Sequence, residues 1–296
     1  MTQQQLAADG RRAASPTDDI VAYYDETWLD YRMLWLNGQN LSVHFGYFDE
    51  QTRSHAAALA NMNRVLADCA GVAAGQRVLD AGCGVGGSSM WLAKQRGALV
   101  TGITPVASQV ARARHYAAQR GLAGQVRFEQ ADYTAAPFAD ASFDVVWALE
   151  SLCHAREKAA FYREAARLLR PGGRLIIAEY LRADRPLGGA GERTLHQWLA
   201  GWAIDDIDTR DEHARHAAAA GLAGVRIDDV TAHTRPSLRR LFRMTAFSYP
   251  VALALRGLRL RTRMQHGNVV GALRQYQALE RGLWFYAIIS ASKPAA

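Results

Sequence analysis

The sequence predicts an α/β protein built on a doubly wound, largely parallel sheet. Three observations predict it. Short apolar runs alternate with helical stretches from Arg77 to Ala178, a glycine-rich turn follows the first run, and Pro171-Gly172-Gly173 breaks the chain before the fifth. Strands buried on both faces read as unbroken apolar runs, and the crossover helices supply the cover.

Met1 to Thr17 is polar and Ala-rich and is expected to fray. Asp18 to Trp35 holds Tyr23, Tyr24, Trp28, Tyr31 and Trp35, with Asp18 or Asp19 as the expected helix cap. Asn37 to Phe48 is punctuated by Gly and Asn and reads as a loop, and Gln51 to Ala70 is helical by composition. Strands are expected at Arg77–Asp80, Leu99–Ile103, Val126–Glu129, Phe143–Ala148 and Arg174–Ala178, with helices at Gly86–Gln95, Ser108–Arg120 and Glu157–Leu169. Beyond Tyr180 the rhythm breaks. Leu181 to Ala220 reads as a helical insertion, Val225 to Val230 as a strand, Pro236 to Gly282 as an arginine-rich helical insertion, and Leu283 to Ser292 as a closing strand. The organisation expected is a flexible tip (1–17), an aromatic helical lid (18–74) and one α/β domain (75–296).

At 296 residues, 49% hydrophobic and 21% charged, the composition is that of a globular enzyme. No apolar run reaches the ~18 residues that cross a bilayer, and the polar start argues against a signal peptide. Cys69, Cys83 and Cys153 lack metal-ligand spacing and read as reduced thiols, so a cytoplasmic protein without a metal site is expected. The net charge of +7 fits nucleic acid, an anionic membrane surface or an anionic small molecule. Between Thr231 and Gly282 ten arginines stand against one acid, Glu280. A solvated helix surface is the plainer explanation.

Asp80-Ala-Gly82-Cys-Gly84-Val-Gly86-Gly87 joins the first strand to its helix. Glycines let the backbone approach a ligand, and the helix N-terminus behind them attracts an anion. Dehydrogenases share this GxGxxG spacing, but here the second strand ends in Thr104 instead of a ribose-binding acid. Asp132-Tyr133 follows the third strand, Phe143-Asp-Val-Val146 opens the fourth, and Leu169-Arg-Pro-Gly-Gly173 precedes the fifth. This ordered set resembles the class I S-adenosylmethionine-dependent methyltransferases. The resemblance implies a Rossmann-like sheet of seven strands whose last strand is antiparallel. It also implies S-adenosyl-L-methionine as cofactor, leaving as S-adenosyl-L-homocysteine. The implied cofactor contacts are Tyr23, Asp80, Gly82, Gly84, Gly86, Thr104, Gln109, Asp132, Tyr133 and Leu149. Asp80 and Asp132 also suit ordinary turn and cap chemistry.

Thr104 with Gln109 in place of the usual acid is similar to the tocopherol and sterol methyltransferases, as is Glu150-Ser-Leu-Cys-His154 after the fourth strand. Glu150 there suits a general base, with His154 beside it; alternatively it orients backbone. Tyr23-Tyr24-Asp25 and His44-Phe45-Gly46-Tyr47-Phe48 resemble the lid of such enzymes, and Tyr47 joins Glu150 and His154 as the implied catalytic set. The arginine-rich insertion resembles bacterial terpene-diphosphate C-methyltransferases of the sodorifen type, for which arginines grip a diphosphate. On that likeness Trp28, Tyr31, Asn37, Asn40, Arg239, Arg240, Arg243 and Tyr249 hold geranyl or farnesyl diphosphate, with Mg2+ accompanying the diphosphate. The expected partner is thus a lipophilic, anionic small molecule, with no stable membrane insertion. The rival is N- or O-methylation of a lipophilic aromatic or sterol-like metabolite. A nucleic-acid methyltransferase is disfavoured, since no RNA-binding motif or Asn/Asp-Pro-Pro-Tyr/Phe stretch is present.

Overall fold

The computed structural model describes residues 16–34 and 40–295. Its centre is a sheet of β1 (Arg77–Ala81), β2 (Leu99–Thr104), β3 (Val126–Gln130), β4 (Phe143–Leu149), β5 (Leu169–Arg182), β6 (Ala223–Asp229) and β7 (Trp284–Ser292). Their order across the sheet is β3-β2-β1-β4-β5-β7-β6. The first five strands run parallel, and β7 lies antiparallel between β5 and β6. Successive strand residues face opposite sides, so the apolar runs feed two cores. Val78, Val100, Val145, Ile176 and Ile288 pack into one; Leu79, Ile103, Val146, Ile177 and Ile289 pack into the other.

The helices are α1 (Pro16–Leu34), α2 (His55–Cys69), α3 (Gly87–Arg96), α4 (Ala107–Gln119), α5 (Lys158–Leu168), α6 (Gly189–Gly201), α7 (Arg210–Ala219), α8 (Thr231–Gly257) and α9 (Arg263–Glu280). α1 begins before the expected cap. Asp18 and Asp19 fall in its first turn, where their charge favours the positive end of the helix. α2 is capped by Ser54, whose Oγ accepts the Ala57 N–H at 3.1 Å. Its Met62 and Leu66 are buried in the core, so the lid expected over 18–74 divides. α1 lies over the cavities, while α2 is a cover helix of the sheet.

Three boundaries differ from the sequence reading. Pro171-Gly172-Gly173 does not interrupt β5; Gly172 takes φ +73° and the register on β4 shifts at this point. The insertion expected at 181–220 is chiefly α6, because β5 runs on to Arg182 and α7 is the crossover into β6. The second insertion starts earlier, at Thr231, and folds as the hairpin of α8 and α9. A capping box starts α9, with Thr262 and Gln265 bonding each other's backbone N–H. α9 packs against α6, α8 and α1.

Candidate active site

Two cavities meet at the carboxyl edge of β1 and β4, where ligands of open α/β sheets bind. The first, about 430 Å3, lies over the glycine loop. The second, about 390 Å3, lies under α1, α8 and α9. Tyr24, Tyr31, Val43, Glu150 and His154 line both.

The glycine loop shapes the first cavity. Gly82, Gly84 and Gly86 all take positive φ, which side-chain-bearing residues rarely adopt. A Cβ on Gly82 would stand 2.3 Å from Ser151 Cβ, and one on Gly86 would stand 2.5 Å from Phe128 Cζ. Ser151 latches the two loops, donating to Ala81 O at 2.6 Å and accepting the Tyr133 hydroxyl at its carbonyl at 2.8 Å. Asp80 accepts from Ser89 Oγ at 2.5 Å, and burial lifts its carboxyl to about 6. Thr104 donates to Gln109 Oε1 at 2.7 Å. With Oε1 engaged, the Gln109 amide has N–H donors to offer a ribose hydroxyl. Asp132 accepts from the Thr134 N–H and hydroxyl through Oδ1, both at 2.7 Å, so its turn role and its place on the cavity wall coexist. Leu149 ends β4 on the same wall. A glycine cradle, a buried acid, a hydroxyl-amide pair and a carboxylate beyond β3 fit the polar groups of S-adenosyl-L-methionine.

Glu150 is the pivot between the cavities. Its backbone takes φ +49°, a strained value held by the surrounding bonds. Oε1 accepts the Phe45 N–H at 2.7 Å and the Tyr286 hydroxyl at 2.7 Å, and Oε2 accepts the Tyr180 hydroxyl. Burial outweighs these three bonds and pushes the carboxyl up to about 8. Tyr180 and Tyr286, from β5 and β7, stand 5.7 Å apart between ring centres and pack with Phe45. His154 ends the 3-10 turn Leu152–His154, which Glu179 holds by accepting the Cys153 N–H at 2.8 Å. The His154 Nε2 lies 3.0 Å from the Tyr24 hydroxyl, and burial lowers the imidazole to about 4, leaving it neutral near pH 7.

Several expected positions lie elsewhere. Tyr23 lines the second cavity and not the first, its hydroxyl bonded to Tyr31 and to Asn268 of α9, each at 2.8 Å. Neighbouring helix residues point about 100° apart, and it is Tyr24 that reaches the first cavity. Trp28, expected on the substrate, borders the first cavity beneath the Arg112 guanidinium at 4.1 Å. Tyr47 lines neither cavity. Mutual bonds between Phe48 and His233 draw the chain onto α8, and the Tyr47 ring stacks on His233 at 4.2 Å. Asn40 accepts the Ser42 N–H at 2.9 Å and borders neither cavity; Asn37 falls outside the described residues. Tyr249 stacks loosely on His266. Arg239 and Arg243 are exposed, Arg240 is half-exposed, and none of the three lines either cavity. The face of α8 that does so carries Leu241, Thr245, Ser248, Ala252 and Leu255. Sequence reasoning missed Tyr180 and Tyr286, the partners of Glu150, and Arg261, which lines the second cavity while paired with Asp30 at 2.6 Å.

Comparison with known proteins agrees with this geometry. A family model described as a methyltransferase domain matches residues 79–177. The 27-O-demethylrifamycin SV methyltransferase of Amycolatopsis mediterranei (strain S699) is 39% identical over 206 residues, 69% of this chain and 73% of that protein. The chloroplastic tocopherol O-methyltransferase of Arabidopsis thaliana is 29% identical over 93% of this chain and 82% of its own length. Among solved structures, the [4+2]-cyclase SpnF superposes with a TM-score of 0.78 at 26% identity, covering 97% of this chain and 100% of the other. Geranyl diphosphate C-methyltransferase from Streptomyces coelicolor A3(2), with Mg2+, geranyl diphosphate and S-adenosyl-L-homocysteine, shares the fold with a TM-score of 0.73 at 21% identity, over 96% and 100%. With its glycine cradle, its strand order and these relatives, the chain belongs to the class I S-adenosylmethionine-dependent methyltransferases that act on small molecules.

Proposed function

We propose that the enzyme methylates a hydroxyl group of a largely neutral, lipophilic metabolite, with Glu150 as general base. The observation that carries this is the second cavity. Its walls are largely apolar; beyond the polar groups where it meets the first cavity they carry Thr245, Ser248, Asn268 and the mutually paired Arg261 and Asp30, and the arginines of α8 stay outside. S-adenosyl-L-methionine supplies a methyl group on a sulfonium, so the chain must align the acceptor oxygen, exclude water and take up one proton. Leu241, Ala252 and Leu255 hold the acceptor body. Glu150 accepts the hydroxyl proton, and its raised carboxyl makes it a stronger base than an ordinary carboxylate. Tyr180 and Tyr286 fix its two oxygens. His154 and Tyr24, bonded to each other at the junction, position the acceptor and close the gap to solvent.

A second reading is C-methylation of a geranyl or farnesyl diphosphate, with Mg2+ brought in by the diphosphate. Arg261 on the cavity wall and the arginine excess of the segment favour it. It requires Arg261 to leave Asp30, or exposed arginines to turn inward. One experiment separates the two. The enzyme is incubated with methyl-labelled cofactor and, in turn, lipophilic alcohols and phenols, geranyl and farnesyl diphosphate with Mg2+, and the free isoprenoid alcohols. Label in an O-methyl group supports the first reading. Label on carbon with the diphosphates alone establishes the second and overturns the first.

A further inference from the structure

The hairpin of α8 and α9 leaves an unusual surface. Phe247 is 90% exposed, Leu258 and Leu260 69% each, and Val251 61%. Phe247, Val251 and Leu255 recur every four residues and so form one stripe along α8, which Leu258 continues past the helix end. Val251 and Leu255 also line the second cavity, together with Leu29 of α1, itself 57% exposed. The stripe therefore runs to the cavity's edge. Exposed apolar side chains grouped in this way mark an interaction surface.

Charge identifies what covers it. Arg243, Arg256, Arg259 and Arg263 are exposed around the stripe. Arg235 and Arg261 are paired with Glu280 and Asp30, but these four form no ion pair with another described residue. No acid occurs from Thr231 to Leu279. A second copy of the same face would set arginines against arginines. The aliphatic side chains of Val251, Leu255, Leu258 and Leu260 offer nothing to a phosphodiester backbone and lose their water against an apolar phase such as the acyl region of a bilayer.

We propose that this hairpin docks on an anionic lipid bilayer, its stripe sunk to the level of the headgroups and its arginines on their phosphates, so that the acceptor cavity opens towards the membrane. Peripheral binding of this kind needs an apolar face and a basic rim together. No helix of the described residues is long and apolar enough to cross a membrane, which fits docking without spanning. The surface also places the arginine excess where it is found, on the outside of α8 and α9.

The test is flotation of the full chain with vesicles of phosphatidylcholine alone and with about 30% phosphatidylglycerol. Binding should be at least about tenfold stronger to the anionic vesicles and weaken as salt is raised. The triple substitution Phe247→Ser, Val251→Ser, Leu258→Ser and the triple Arg256→Gln, Arg259→Gln, Arg263→Gln should each lower binding by about tenfold or more. All six positions are exposed, so circular dichroism should show both variants folded. Absence of wild-type binding to either vesicle would overturn the proposal, as would full binding by the serine variant, which would leave a purely electrostatic surface suited to nucleic acid or an acidic protein. A wild-type dimer that the serine variant converts to monomer would assign the stripe to subunit contact instead.

Discussion

The two cavities that share Glu150 are built in opposite ways. The cofactor side is made of strand ends and the turns directly after them, so most of its residues lie between Asp80 and Glu157. The second cavity, where we place the acceptor, is made chiefly of helices from both ends of the chain, with Tyr23 of α1 bonded to Asn268 and Arg261 bonded to Asp30. Local turns leave a site rigid and recognisable. Long-range helix packing leaves it free to vary in size and polarity while the chemistry at the junction stays in place.

The largest effect should come from the junction itself. Glu150→Gln should lower turnover by about 10²-fold or more, while calorimetry shows cofactor affinity changed by no more than about twofold. The wild-type rate should climb as pH rises through about 8, where the carboxyl ionises, and the variant should lose that dependence. Stability runs the other way. The folded carboxyl keeps its proton up to about 8 where an ordinary one of 4.5 has lost it, so stability should fall as pH rises between those values. Denaturant midpoints measured across this window should decline less steeply in Glu150→Gln.

Next in size is a change confined to the cofactor side. Gly84 takes φ +53° and nothing stands within 4 Å of where a Cβ would be, so Gly84→Val strains the turn and fills the cradle. Cofactor affinity should drop by about tenfold or more, from strain of roughly 1–3 kcal/mol. Its counterpart is Ala252→Phe on the buried acceptor wall. The Michaelis constant for the acceptor should rise about fivefold or more through overpacking, with cofactor binding unchanged. Equal damage to both ligands by either variant would break the division between the cavities.

Smaller effects follow at the periphery. Tyr23→Phe removes the bond to Asn268 that ties α1 to α9 and should cost about 1 kcal/mol of stability, read from denaturant unfolding. Arg239→Ala, Arg240→Ala and Arg243→Ala should leave the kinetics with a neutral acceptor unchanged, because none of the three lines either cavity. A Michaelis constant raised about tenfold for an isoprenoid diphosphate, as the loss of a charge-assisted contact would produce, would restore these arginines to the acceptor site.

The cofactor side was legible because its signals are local. Gly82, Gly84 and Gly86 are needed by a turn a few residues long, and Thr104 and Gln109 lie five residues apart across the turn from β2 into α4 and bond each other. Glu150 and His154 were legible for the same reason, as residues of the turn that ends β4. Their partners were not. Tyr180 lies 30 residues on and Tyr286 136 residues on, and they meet Glu150 only because β5 and β7 pair in the sheet. Tyr47 shows the converse, since its motif suggested catalysis while the bonds between Phe48 and His233 seat the Tyr47 ring on His233, clear of both cavities. Arg239, Arg240 and Arg243 line neither cavity, because composition records how much charge a helix carries and not which face it turns inward. The sequence by itself determined the sheet, the glycine cradle and the carboxylate at its edge, since strand periodicity and turn geometry depend on neighbours in the chain. Tertiary structure alone decided the second cavity and the raised carboxyl of Glu150, because burial and helix packing depend on residues that the chain brings together only by folding.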